Sequence, residues 1–305
     1  MKKLIHFSKF FPASVVLSTV LIVAGIVSVC VRGMNWGLEF KPGQNIQVSV
    51  SNEEVNSDKI TEILAAKQIS ASVKSAGDDN TFQIRTEDGE SVENAVKEAL
   101  GAAYGEDKVV IEQSQSISAQ FSKSLIRDSI VLVLATLVLI FAYTLLRFKW
   151  DAALASVIAV IHDALIMISF LSWSHLEFTT TSIAAILTII GYSINATVVI
   201  LDRVRSDMKI VEAKTFKEIL DNALTATLSR SIITTLTTLF AVLALVVFTT
   251  GDIRNFSIAL IVGLISGCYS SIFIAGAFIA AVRRNWKPAA ILPGANTVKF
   301  EPVEE

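Results

Sequence analysis

The chain has little with which to crosslink itself or hold a metal. Its two cysteines, Cys30 and Cys268, lie in separate apolar runs, which excludes a disulfide framework or a zinc cluster. The three histidines, His6, His162 and His175, are too scattered for metal-ligand spacing. Neither a GxxxxGK[ST] phosphate loop nor an HExxH metalloprotease helix occurs. No cofactor is expected, and any energy source has to come from elsewhere. The net charge is −2 and no block of basic residues forms, so no nucleic-acid partner is expected.

What is abundant is apolar. Hydrophobic residues make up 52% of the 305 positions, and the mean hydropathy is +0.59. That is too apolar for an ordinary soluble chain and fits a membrane protein with a soluble part. The first apolar run spans about 11–31 and follows Lys2, Lys3 and Lys9. It has the charge layout of a signal peptide but is long enough to span and lacks a small-x-small cleavage site. Val29 before Cys30 also argues against lipoprotein processing. An uncleaved first membrane helix is expected.

From Arg32 to about Lys123 the composition turns soluble. The stretch 45–51 (NIQVSVS) alternates apolar and polar, as a half-buried strand does. Ser57–Lys67 carries Ile60, Ile63 and Leu64 at helical spacing. Strands are expected at 69–75 and 81–86, separated by the turn residues Gly77, Asp78, Asp79 and Asn80. Ser91 is placed to cap a helix containing Val92, Val96 and Leu100, and a last strand is expected at 108–113. The order βαββαβ is that of a ferredoxin-like sandwich. No acid–base constellation appears in it, so a binding or mechanical role is favoured over an enzymatic one.

Five further apolar runs follow, near 125–146, 152–173, 180–201, 231–250 and 256–282. Each is long enough to cross a bilayer core of roughly 30 Å. Six spans put both termini on one side. Lys2, Lys3, Lys9, Arg147, Lys149, Arg203, Arg205, Lys209, Lys214, Lys217, Arg283, Arg284 and Lys287 fall on that side, against Arg32, Arg127 and Arg254 on the other. The positive-inside rule makes the basic side cytoplasmic. The expected fold is therefore a membrane α-helical bundle of six transmembrane helices, with an extracytoplasmic α+β ferredoxin-like (βαββαβ) domain between helices 1 and 2. The domains read as 1–32, a cytoplasmic tail and first helix; 33–123, the exterior domain; 124–283, the other five helices with a cytoplasmic segment at 202–229; and 284–305, a cytoplasmic tail.

Polar groups inside the apolar runs carry the functional signal. Asp163 lies near the middle of its run, where a carboxylate costs on the order of 3 kcal/mol unless paired, neutralised or hydrated. The function-free alternative is a protonated acid hydrogen-bonded for structure. His162 points about 100° away around the helix and so need not share its partner. Thr188, Asn195 and Asp202 are spaced seven apart on one helical face, with Tyr192 between them. That face glues helices together or lines a pathway. Arg230 opens the fifth run, with Thr234, Thr237 and Thr238 on its face. It either snorkels to the interface or pairs with an acid on a facing helix. Asp202, Arg203 and Arg205 form a charged cluster at the end of the fourth span, ahead of an amphipathic segment at 211–224. It is an anchor, or a coupling point for cytoplasmic partners. Gly263 and Gly267 make a GxxxG packing seam.

Several segments, in order, resemble the SecD/SecF family of bacterial protein export, on its SecF side. NWGLEFKPG (35–43) is similar to the family's NxGxDFxGG, with Glu39 for aspartate and Pro42 for glycine. RFKWD (147–151), HDALI (162–166), GYSINATVVILDRVR (191–205), LSRSIITTLTTLF (228–240) and ISGCYSSIFIA (265–275) resemble its later motifs. The resemblance implies a SecD-like partner and the SecYEG channel as an associate. It also implies an unfolded preprotein as cargo and proton-motive-force-dependent late steps of translocation across the bacterial cytoplasmic membrane. It places the family's proton-path arginine and threonine at Arg230 and Thr234. Its aspartate falls at Ala196, which puts proton conduction by this subunit in question. SISAQFSKSL (116–125) also lacks the family's proline and glycine. Two other readings remain open from sequence. One is half of a resistance-nodulation-division-type exporter of small molecules or lipids. The other is a scaffold of the translocon that moves no protons.

Overall fold

The computed structural model describes residues 4–51, 55–75, 80–86, 92–213, 215–286 and 298–299. The turn residues Gly77, Asp78 and Asp79, the cap at Ser91, and Lys2, Lys3, Lys214 and Lys287 lie outside them, as does most of the C-terminal tail. In chain order the main elements begin with α1 (Phe11–Arg32), β1 (Gly43–Val50), α2 (Ser57–Ala66), β2 (Ala71–Ser75), β3 (Thr81–Thr86), α3 (Val92–Tyr104) and β4 (Val109–Ile117). The long helices α4 (Ala119–Arg147), α5 (Trp150–Ser174) and α6 (Thr180–Ile210) follow. The short strand β5 (Val211–Glu212) precedes α7 (Phe216–Phe248) and α8 (Gly251–Val282). A last short strand, β6 (Val298–Lys299), pairs in parallel with β5.

The membrane bundle consists of α1 and α4 to α8. All six are long and apolar enough to cross a bilayer. α5 and α8 are its centre, each burying residues along its whole length. α4 and the second half of α7 bury almost nothing and stand at the periphery.

The head is a four-stranded antiparallel sheet ordered β2-β3-β1-β4, carrying α2 and α3. Gln44, Ile46, Val48 and Val50 of β1 are buried and their neighbours are not, the alternation a one-sided sheet requires. Asn56 starts α2 by accepting the Lys59 amide proton. Ile46, Val48, Ile60, Leu64, Ile84, Val96 and Leu100 make a core that the head shares with no membrane helix. β4 runs to Ile117, beyond the 108–113 strand expected from sequence. Its last residues, Ser114 to Ile117, are held by pairing with Gly43–Ile46 rather than by apolar periodicity. Ser118 then caps α4 by accepting the Phe121 amide proton, so strand passes straight into helix.

The segment between α1 and β1 fixes head to bundle. Phe178, in the α5–α6 loop, donates its amide proton to the Asn35 carbonyl (2.7 Å), and its own carbonyl accepts from the Gly37 amide (2.8 Å). Trp36, Phe40 and Phe178 stack with centroids 5.4 to 5.8 Å apart. A Cβ on Gly37 would lie 2.8 Å from the Phe178 carbonyl oxygen, so no other residue fits this contact. Glu39 accepts a hydrogen bond from Thr180 in the first turn of α6, where the helix dipole favours an anion.

At the other end, α7 begins earlier than the 231–250 run. The expected amphipathic segment becomes its first turns, and Phe216, Ile219, Leu220, Ala223 and Leu224 bury against Phe7, Phe11, Ile200, Val204 and Ile279. Ser8 donates from both backbone and hydroxyl to the buried Asp221 of α7 (2.9 and 2.7 Å), pinning the N-terminal segment there.

Candidate intramembrane site

Asp163 is wholly buried in the middle of α5, and each of its two oxygens has two polar partners. Oδ1 accepts from Ser266 (2.6 Å) and contacts His162 Nδ1 (3.1 Å). Oδ2 accepts from Ser193 (2.6 Å) and Ser270 (2.7 Å). The donors come from α6 and α8, so one carboxylate ties three helices together at mid-membrane. Sequence reading did not assign the three serines, and it left His162 free of this partner. The carboxylate reaches sideways across its own helix turn to the imidazole, which the angle between adjacent positions does not forbid.

The hydrogen-bond direction beyond His162 is fixed by counting protons. Tyr269 donates to the Ser14 carbonyl (2.7 Å), which can only accept. The tyrosine oxygen therefore accepts from Ser18 (3.1 Å), and Ser18 in turn accepts from His162 Nε2 (3.0 Å). Nε2 therefore carries a hydrogen, Nδ1 faces Asp163 Oδ1, and the pair is wired through Ser18 and Tyr269 to α1.

On the far side of Ser193 lies a groove of about 270 Å³ between α6, α7 and α8. Asn195, Ala196, Arg230, Thr234 and Thr238 all line it, together with Tyr192 and Gly267. The expected functional residues of α6 and α7 are thus brought to one place, and the Ser193 hydroxyl separates it from Asp163. Arg230 sits in the middle of the long α7 rather than at a helix start, and its guanidinium has no acidic partner among the described residues. Thr234, Thr237 and Thr238 donate back to carbonyls of their own helix, leaving lone pairs for the groove. Among the described residues no carboxylate lines the groove. Gly263, as the packing seam predicts, closes one end: a Cβ there would lie 2.4 Å from Ile189 and 2.8 Å from the Met167 sulfur. Thr188, Tyr192, Asn195 and Asp202 are all exposed, so the polar face of α6 is uncovered in this chain.

The charged cluster divides. Asp202 pairs with Arg147 (2.8 Å), Arg205 donates to the Arg147 carbonyl (3.2 Å), and Arg203 pairs with Asp207 (2.9 Å), which also accepts from Asn222. These contacts join the ends of α4, α6 and α7. The exposed Arg147–Asp202 pair contributes about 0–1 kcal/mol, so it positions more than it stabilises, whereas the Asp207 carboxylate is fully buried under Arg203 and Asn222.

A bundle of six spanning helices with an α+β head between the first and second, and an acid at its centre, defines a multi-pass membrane protein of the transporter class. Comparison with known proteins gives the family. Residues 96–285 match the family described as "Protein export membrane protein SecD/SecF, C-terminal", and residues 27–54 match the SecD/SecF GG motif. The protein translocase subunit SecF of Borreliella burgdorferi is 35% identical over 294 residues, covering 90% of this chain and 96% of its own length. That of Treponema pallidum is 50% identical over 194 residues, 64% of this chain and 46% of its own length. The crystal structure of SecDF, a translocon-associated membrane protein from a Thermus species, superposes with a TM-score of 0.82 at 28% identity, covering 93% of this chain and 39% of that one. The chain belongs to the SecD/SecF family of protein export membrane proteins, as a SecF-type subunit of the Sec protein-export machinery. The family is one of protein translocase subunits, which makes the role one of transport and sets the exporter of small molecules or lipids aside.

Proposed function

We propose that this chain works beside a SecD-like subunit at the SecYEG channel, promoting late, proton-motive-force-dependent steps of preprotein translocation. The observation that carries this is the uncovered polar face of α6 and α7. Asn195, Arg230, Thr237 and Thr238 cannot face lipid cheaply, so another membrane subunit has to cover them. In the Brucella abortus relative and in the Thermus structure the matched region is part of a longer SecDF chain, which supplies a precedent for such a partner. The basic residues gathered at the bundle end away from the head support cytoplasmic termini, a head outside the membrane, and placement in the bacterial inner membrane. The βαββαβ order and the β2-β3-β1-β4 sheet support a ferredoxin-like head that handles the emerging chain.

Within this reading the His162–Asp163 dyad holds the proton that Ala196 cannot, and Arg230 meets a carboxylate of the partner. A translocon scaffold without proton transfer is the second reading, favoured by the groove's lack of a carboxylate. Affinity purification from membranes tests the first: a SecD-like chain should co-purify, and Asn195→Cys should crosslink to it. Crosslinks to lipid-accessible probes alone would contradict a covered face.

A further inference from the structure

At the bundle end away from the head, α4, α5, α6 and α8 enclose a second pocket, of about 450 Å³. Leu201, Val204 and Ile279 form an apolar floor, while Arg147, Lys149, Arg205, Lys209 and Arg283 form a cationic rim. Two of the five cations are neutralised in place. Arg283 clamps the Asp151 carboxylate with two hydrogen bonds (Nη2 at 3.0 Å), and Arg147 pairs with Asp202. Arg205 is bonded only to a backbone carbonyl. Lys149 and Lys209 have no acidic partner among the described residues. Three positive charges with no acidic partner among the described residues thus stand over an apolar slot at the ends of spanning helices, where lipid headgroups lie.

We propose that this pocket binds an acidic phospholipid. Its phosphate sits among Lys149, Arg205 and Lys209, and its acyl chains lie on Leu201, Val204 and Ile279. A free phosphate would satisfy the rim but leave the floor unused; a zwitterionic lipid would fill the floor but bring its own cation and no net negative charge to the rim. Basic pockets between helices at a membrane surface recognise anionic headgroups through this combination. The site is separate from the groove at Arg230, so it stands whether or not protons move through this chain.

The full chain, purified and delipidated in mild detergent, tests this by native mass spectrometry and thermal unfolding. The probes are cardiolipin, phosphatidylcholine with matched acyl chains, and inorganic phosphate. Cardiolipin should be retained and should raise the unfolding temperature, while the other two should do neither. Lys149→Gln with Lys209→Gln breaks no hydrogen bond in the structure and should lower cardiolipin retention by about tenfold or more. Adding Arg205→Gln should deepen the loss. Equal retention by wild type and the double variant would overturn the proposal. So would equal stabilisation by inorganic phosphate, or equal retention of phosphatidylcholine.

Discussion

At the scale of single residues, Asp163 is set apart by having four partners, three serine hydroxyls and its own neighbour's imidazole. Asp163→Leu takes the acceptor from Ser193 and Ser266 in the bundle centre and leaves Ser270 only the Gly267 carbonyl (3.3 Å), at about 1–3 kcal/mol for each hydroxyl left unsatisfied. The yield of folded protein should fall sharply. Asp163→Asn keeps the shape and should fold, since its oxygen still accepts from serine hydroxyls on one side and its NH2 donates to serine hydroxyls that rotate to accept on the other. If the leucine variant purifies in normal yield and melts like wild type, the carboxylate does not hold the helices together. Ala196→Asp offers the complementary test. The position lines a polar groove beside Arg230, where a carboxylate finds a partner, so complex yield should be unchanged. Loss of the complex would show that the groove is packed closed in the assembled state. Asp163, Arg230, Asn195 and Thr234 were all legible in the sequence as polar groups in apolar runs. The serines that bind Asp163 were not. Serine is common at helix-packing seams, and one hydroxyl among Ser266, Ser270 and Ser271 looks like another until a fold shows which face meets the acid.

At the scale of elements, periodicity located nearly every helix and strand, and failed where partners rather than periodicity decide. The end of β4 is polar and is strand only because β1 lies beside it. The start of α7 read as a separate amphipathic segment because its buried face contacts α1, α6 and α8, whose positions sequence does not show. The head carries its own core, so residues 35–120 expressed alone should show mixed helix and sheet by circular dichroism and a cooperative melt. A non-cooperative melt would mean that the head depends on the bundle. The contact at Gly37 makes a sharper claim about how the head is held. Gly37→Ala puts a methyl 2.8 Å from the Phe178 carbonyl, which forces the segment off its loop. Thermal unfolding of the full chain should drop by an amount matching about 1–3 kcal/mol. Gly191→Ala, in a helix position open on every side, should leave it unchanged or raise it by the equivalent of up to about 1 kcal/mol. Equal effects of the two would remove the close approach as the reason for glycine at 37.

At the scale of the whole molecule, the chain is lopsided. α5 and α8 are packed as a core, while the polar side of α6 and α7 is open and carries Arg230, without an acidic partner among the described residues, beside Ala196. Such a bundle is half of something larger, and the central claim is that the larger assembly uses the proton gradient through the dyad at Asp163. That claim is met most directly by measuring the rate at which a preprotein completes translocation into membrane vesicles, with the gradient present and then dissipated. The vesicles contain wild type or Asp163→Asn, matched for assembled complex. The wild type should lose most of its rate when the gradient is removed. Asp163→Asn should run at that lower rate in both conditions. An Asp163→Asn complex that responds to the gradient as the wild type does would contradict the account.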